Sequence, residues 1–130
     1  MRRRMLERLH ERGFDDFEAA HLTLFLFPGP QALKPSELAA RVGASKQSVN
    51  HLLGQLERLG YLERRDDPDD GRSRRIHLTR RGLSAVAVIR DAVLEVERDW
   101  EGRLGAKRME LLRGLLREIS DGDESGTATR

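Results

Sequence analysis

The stretch "PSELAARVGASKQSVNHLLGQLERLG", residues 35–60, constrains the fold more than any other part of the chain. It holds two helical patterns with a very short connection. Pro35 suits the first turn of a helix, where its missing N–H has no partner to lose. Leu38, Ala39 and Val42 share one face of that helix, and Gly43 ends it. Ser45 caps the next helix, on which Val49, Leu52, Leu53, Leu56 and Leu59 make the buried stripe before Gly60 stops it. Only "GAS" lies between them, which is the spacing of a helix-turn-helix.

The residues after Gly60 have strand chemistry. "YLERR" reads as a strand with Tyr61 and Leu62 entering the core, "DDPDDG" as a turn, and "RSRRIHLT" as the returning strand. The expected architecture is mostly α with a small two- or three-stranded β wing, a winged helix-turn-helix with terminal dimerisation helices. Before it, Met1 to Glu11 reads as a short helix ending near Gly13, and Asp15 or Asp16 as the cap of a second helix carrying Phe17, Ala20, Leu24 and Phe27. "FPGPQALK" breaks that pattern at Pro28, Gly29 and Pro30. After the wing, Thr79 caps a long helix on which Val86, Ile89, Val93, Val96 and Trp100 recur at heptad-like spacing, and Gly102 and Gly105 mark its end. "AKRMELLRGLLREIS" is the last helix, with Met109, Leu112, Leu115, Leu116 and Ile119 turned inward. The organisation so read is 1–27 for N-terminal support and dimerisation helices, 28–81 for the winged helix-turn-helix, 82–120 for dimerisation helices, and 121–130 for a disordered tail.

Charge singles out the middle of this arrangement. The net charge of +2 is unevenly spread. Residues 1–33 carry 5 basic and 5 acidic side chains, residues 34–81 carry 11 and 7, and residues 82–130 carry 8 and 10. The middle of the chain is therefore the candidate polyanion-binding part. On the second helix of the pair, Gln47, His51, Gly54 and Arg58 point away from Val49, and Lys46, Ser48 and Asn50 flank them. With Ser45 at its start, this face offers hydrogen-bonding groups where a recognition helix meets base edges in a major groove. On the wing, Arg72 is placed at the tip for a narrow minor groove, and Arg74 and Arg75 alternate across the strand, so that one meets phosphate while the other packs or pairs. Asp70 stands where it can orient the Arg72 guanidinium, Asp69 shares in the turn, and Asp66 and Asp67 are expected to stay solvated.

From about Phe14 to Gly82 the chain resembles the MarR family of winged-helix regulators. "PSELAARVGASKQSVNHLLGQLERLGYLERR" is similar to that family's helix-turn-helix, and "DDGRSRRIHLTRRG" to its wing. The most specific matches are Asp70-x-Arg72 and the Leu78-Thr79-x-x-Gly82 pattern. The resemblance implies a homodimer built from terminal helices that binds double-stranded DNA at a pseudo-palindromic operator. It also implies a transcriptional regulator, in many members a repressor, released by a small aromatic or phenolic effector. His21, Phe17 and Trp100 are the candidate effector-pocket residues. One departure stands out: "MRRRMLERLHER" is shorter than the family's first helix. Either that helix starts upstream, or the dimer leans more on residues 79–104 and 107–119, and the usual pocket loses part of its wall.

Other chemistries are not expected. The chain has no cysteine, which removes disulfides and thiolate metal sites. His10, His21, His51 and His77 lack metal-ligand spacing, and no nucleophile elbow or phosphate-cradling glycine loop is present. No cofactor and no enzymatic activity are expected. No apolar run reaches the length of a membrane span, so a cytoplasmic protein without membrane attachment is the expectation. The alternative function is a winged-helix protein-interaction module that does not read DNA. Steep salt dependence of DNA affinity separates the two.

Overall fold

The computed structural model describes the backbone of residues 1–26 and 29–128, and side chains up to residue 122. Its elements run α1 (Arg2–Glu11), α2 (Ala19–Phe25), α3 (Pro35–Val42), α4 (Lys46–Arg58), β1 (Leu62–Asp67), β2 (Asp70–Leu78), α5 (Arg80–Leu104) and α6 (Ala106–Ala128). The strands form one antiparallel two-stranded sheet, so of the two expected wing sizes the smaller is present. Residues 1–93 and 94–130 make two compact units, with the division inside α5. No helix among the described residues is long and apolar enough to cross a membrane.

Local chemistry fixes most element ends in the first unit. Pro35 opens α3, and Gly43 closes it with φ 70° in the left-handed region. The Ser45 hydroxyl accepts the Ser48 N–H at 3.1 Å and so caps α4. Gly60, at φ 85°, turns the chain from α4 into β1. Thr79 caps α5 as expected, its hydroxyl oxygen accepting the Gly82 N–H at 3.1 Å. Gly82 lets this helix start against β1. A β-carbon built there would lie 2.0 Å from the Tyr61 carbonyl oxygen, far inside contact distance.

Two expectations change. The second helix is capped by Glu18, paired reciprocally with His21, and by neither Asp15 nor Asp16. Asp16 instead accepts from the hydroxyl of the buried Tyr61 and from the half-buried Arg81 Nη2, at 3.0 and 3.1 Å for the two arginine contacts. The apolar face of α2 is accordingly rotated: Leu22, Leu24 and Phe25 are buried while Ala20 is exposed. Phe27 and Pro28 lie outside the described residues. The last helix also continues into the segment read as a tail, to Ala128, since no proline interrupts it. Thr129 and Arg130 lie outside the described residues.

The core of the first unit joins α1 through Met5 and Leu9, α2 through Leu22, Leu24 and Phe25, and α3 through Leu38. It continues into α4 through Val49, Leu53 and Leu56, the strands through Leu62 and Ile76, and α5 through Ala85, Ile89 and Ala92. Phe17 and Tyr61 stand at its centre with rings 5.1 Å apart and edge to face. Burying one such aromatic ring contributes about 2–3 kcal/mol. In the second unit Val96 and Met109 are buried, whereas Leu94, Trp100, Leu111, Leu115, Leu116 and Ile119 are exposed.

Candidate nucleic-acid interface

The helix-turn-helix presents its second helix outward. Val49, Leu53 and Leu56 hold α4 to the core, which leaves Ser45, Lys46, Gln47, Ser48, Asn50, His51 and Arg58 exposed. The structure thus brings these sequence-derived candidates onto one surface. Four of them, Ser45, Ser48, Asn50 and His51, are already engaged within the protein. The Ser45 hydroxyl donates to Ser48 Oγ at 2.9 Å, so these two side chains also close the helix start. Asn50 Oδ1 accepts from Arg64 Nη1 at 3.3 Å, and its carbonyl accepts from Arg64 Nη2 at 3.4 Å. Arg64, on β1, is a residue that sequence reasoning missed. Its guanidinium also lies 3.8 Å from Glu57, so one cation ties the strand to both ends of the exposed helix face. The run "ERR" carried the signal, but only strand register tells which arginine faces α4.

The wing departs from expectation in its detail. Partners run in register from Leu62 opposite Leu78 to Asp66 opposite Arg74, and then shift, so that Asp67 faces Asp70. Pro68 and Asp69 make the turn, and Gly71, Arg72 and Ser73 form an extra loop on β2 beside it. Arg72 is therefore carried by this bulge, next to the turn, with an exposed side chain. Asp70 orients it through the backbone and not through the guanidinium. One carboxylate oxygen accepts the Arg72 N–H at 3.1 Å and the other accepts the Ser73 hydroxyl at 2.9 Å. These two bonds hold the Asp70 carboxyl below its ordinary pKa.

Arg74 and Arg75 face opposite sides, and only one stays outside. Arg74 pairs with Asp66 across the strands at 3.3 Å, with both side chains well exposed. Such a pair is worth about 0–1 kcal/mol and is readily exchanged for another anion. Arg75 turns inward. It donates from Nε to Asp67 at 2.9 Å and from Nη1 to the Ala32 carbonyl at 2.8 Å, and it lies 3.6 Å from Glu37 on α3. Asp67 was expected in solvent, yet its side chain is 3% exposed. The register shift turns it under the strand, where Arg75 compensates its charge. The Asp69 N–H, first, and then Arg75 hold the Asp67 carboxyl low against the opposing effect of burial. Ala32, with φ 64°, anchors the same corner. Its N–H donates to Ile76 and the Ile76 N–H donates to Leu33, at 2.8 and 2.9 Å, which binds the wing base to the loop before α3.

Behind α4 a second cluster fixes the start of α5. Arg81 bonds the Leu59 carbonyl at the end of α4 and pairs with Asp16. Its guanidinium carbon also sits 4.2 Å from the centre of the Tyr61 ring. Burial pushes the Asp16 carboxyl up, but hydrogen bonds from Tyr61 and Arg81 and the arginine's charge outweigh it and hold the group low. Burial and the bond to Asp16 push the Tyr61 phenol up.

Two of the candidate effector residues are core side chains of the first unit. Phe17 and His21 are buried in the core in edge contact with each other, at 5.5 Å between ring centres. Trp100 belongs to the second unit and is exposed. The first unit does contain a cavity of about 470 Å³, lined by Met5, Phe25, Leu83, Val86, Ile89 and the wing-base residue Leu78, among others. Phe17 and His21 are not among its lining residues. Among the described residues, no group of His, Asp or Glu could hold a metal ion.

Residues 25–73, from the end of α2 through both helices into β2, match the family model described as the MarR family. A putative transcriptional regulatory protein for the hcr operon of Thauera aromatica is 32% identical over 87 residues, which are 67% of this chain and 52% of that protein. The uncharacterized HTH-type regulator YkoM of Bacillus subtilis is 39% identical over 72 residues, 55% of this chain and 46% of that protein. The chain thus spans about half the length of these curated relatives. Among solved structures, Streptococcus pneumoniae FabT in complex with DNA superposes with a TM-score of 0.68 at 24% identity, covering 92% of this chain and 85% of that one. A sequence match centred on the helix-turn-helix and a shared fold across nearly the whole chain agree: this chain is a winged-helix member of the MarR family.

Proposed function

We propose that this protein is a sequence-specific, double-stranded DNA-binding transcriptional regulator that acts as a homodimer on a pseudo-palindromic operator, as a repressor. The observation that carries this reading is the exposed polar face of α4 standing beside a wing whose Arg72 is bonded through its backbone and not through its guanidinium. Lys46, Gln47, Ser48, Asn50, His51 and Arg58 supply groups for base edges and phosphates in the major groove. Arg72 supplies a cation for the neighbouring minor groove, and Arg74 exchanges Asp66 for phosphate. Arg75 holds the wing base and Asp70 shapes its turn. The solved complex of FabT with DNA supports the same use of the fold.

Residues 82–120 serve as dimerisation helices in this reading, because α6 leaves Leu111, Leu115, Leu116 and Ile119 in solvent. The cavity of about 470 Å³ has the size and apolar lining of a small-molecule site, and it takes an aromatic or phenolic effector. Its wall includes Leu78 and Gln31, and the Gln31 side chain accepts the Leu78 N–H at 2.8 Å, so a bound molecule bears on the wing base.

Titration of duplex DNA at increasing salt tests the reading. The preferred site, selected from random duplexes, should be bound by a dimer, and log affinity should fall steeply with log salt as several counterions are released. A protein that selects no sequence and binds all duplexes alike would refute sequence-specific regulation.

A further inference from the structure

A chain of polar groups begins at the N-terminus of α2 and ends on the outward face of α4, and its direction is set at the buried end. The Glu18 N–H donates to His21 Nδ1 at 3.0 Å. A ring nitrogen that accepts carries no proton, so the proton of this neutral imidazole is on Nε2. His21 Nε2 lies 2.9 Å from Gln55 Oε1, and Nε2–H donates to that oxygen. The opposite amide orientation fails, because it would require the imidazole to accept at both nitrogens. With its oxygen turned to His21, Gln55 presents its amide nitrogen to His51 Nε2 at 3.2 Å. That nitrogen only donates. His51 Nε2 therefore accepts, and the His51 proton resides on Nδ1.

We propose that this relay makes His51 a hydrogen-bond donor of fixed polarity on the recognition helix, with Gln55 and His21 as the positioning residues that determine what it reads. An exposed imidazole ordinarily exchanges between two neutral forms and offers either a donor or an acceptor. Here the acceptor nitrogen is occupied inside the protein, and Nδ1–H is left for DNA. In the major groove this donor matches guanine N7 and O6, adenine N7 and thymine O4, and it opposes the amino groups of cytosine and adenine. The relay joins residues 18, 21, 51 and 55 across α2 and α4, and His21, at 1% exposure, is shielded from competing water. The base preference rests on the DNA-binding reading above, whereas the proton positions concern the protein alone.

Nitrogen-15 NMR of the full chain, labelled at histidine and recorded at mildly alkaline pH where imidazoles are neutral, shows which nitrogen carries each proton. His21 should be protonated on Nε2 and His51 on Nδ1. Gln55→Leu removes the amide and should return His51 to a mixture of both forms while His21 keeps its proton on Nε2. Gln55→Glu replaces the donor by a carboxylate, which only accepts, and should move the His51 proton to Nε2. Site selection from random duplexes gives the second arm, with thermal unfolding to confirm that each variant is folded. One position per half-site should favour a major-groove acceptor, and Gln55→Leu and His51→Ala should each relax that preference about three- to tenfold, the weight of one hydrogen bond. A wild-type His51 protonated on Nε2, or a His51 unmoved by either Gln55 substitution, overturns the relay. A proton that moves while the selected bases stay unchanged overturns its role in specificity. If no sequence is selected at all, the DNA reading fails and the NMR result still stands or falls alone.

Discussion

The same residue types behave oppositely in the two units of this chain. Within residues 1–93, leucines recur along α4 and end in the core: Leu53 and Leu56 are 0% exposed. Within residues 94–128, leucines recur along α6 with equal regularity and end in solvent: Leu111 and Ile119 are 63% exposed. Pattern alone does not distinguish them. The stripe on α4 meets α2, α3 and β1 of its own chain, whereas the outer face of α6 is an apolar patch of the kind that marks an interface. Helical periodicity states that a surface will be covered; it does not state by which molecule.

Four experiments would break or sharpen this contrast. The largest effect belongs to the first unit. Leu53→Ala should cost about 2–5 kcal/mol of unfolding free energy, and the loss should not depend on protein concentration. Next, the double substitution Leu115→Arg and Ile119→Arg should leave helicity unchanged, halve the mass seen by light scattering and weaken operator binding about a hundredfold, as expected when two half-sites are no longer bound together. Retention of the dimer would locate the interface elsewhere. A smaller effect divides the wing itself. Arg72→Ala should lower the salt slope of DNA affinity by about one unit without changing the melting temperature. Arg72→Lys should recover only part of the affinity, because lysine lacks the planar fork. Arg75→Ala should do the reverse: it lowers the melting temperature by leaving Asp67 buried and unpaired.

The smallest effect is expected in acid. Asp16, Asp67 and Asp70 all have carboxyl groups held low in the folded chain. Their contribution to stability is complete above the unfolded carboxylate value near about 4 and is lost as pH falls through the lower folded values. Urea titrations from mildly acidic pH downward should show this limb, and Asp16→Asn should flatten it. All three groups lie in residues 1–93, so the limb should survive the α6 substitutions unchanged.

How much the sequence disclosed depends on the range of the interactions involved. The helix-turn-helix was legible because Pro35, Gly43 and Ser45 act within one turn of themselves. The wing hairpin was legible for the same reason, through Pro68 and its acidic neighbours. The cap of α2 was misread because Asp16 is claimed by Arg81, 65 positions away. Asp67 was misread because its burial depends on a register shift that places it under the strand beside Arg75. The contact between His21 and Gln55 spans 34 positions and has no local signature at all. The effector candidates turn on a related point: Phe17 packs edge to face against both His21 and Tyr61, contacts made across the fold that composition does not reveal.

The contact between Gly82 and the Tyr61 carbonyl has a consequence for how the gene can drift. Every single-nucleotide change that replaces a glycine introduces a side chain or a stop. Each such side chain begins with the β-carbon that would strike the Tyr61 carbonyl at 2.0 Å. The chain entering β1 would have to move, and Thr79, whose N–H donates to that same carbonyl at 3.1 Å, would move with it. No mild first step leads away from this residue, so variation at codon 82 should be purged as loss of function while the neighbouring exposed codons 80, 83 and 84 accumulate changes freely.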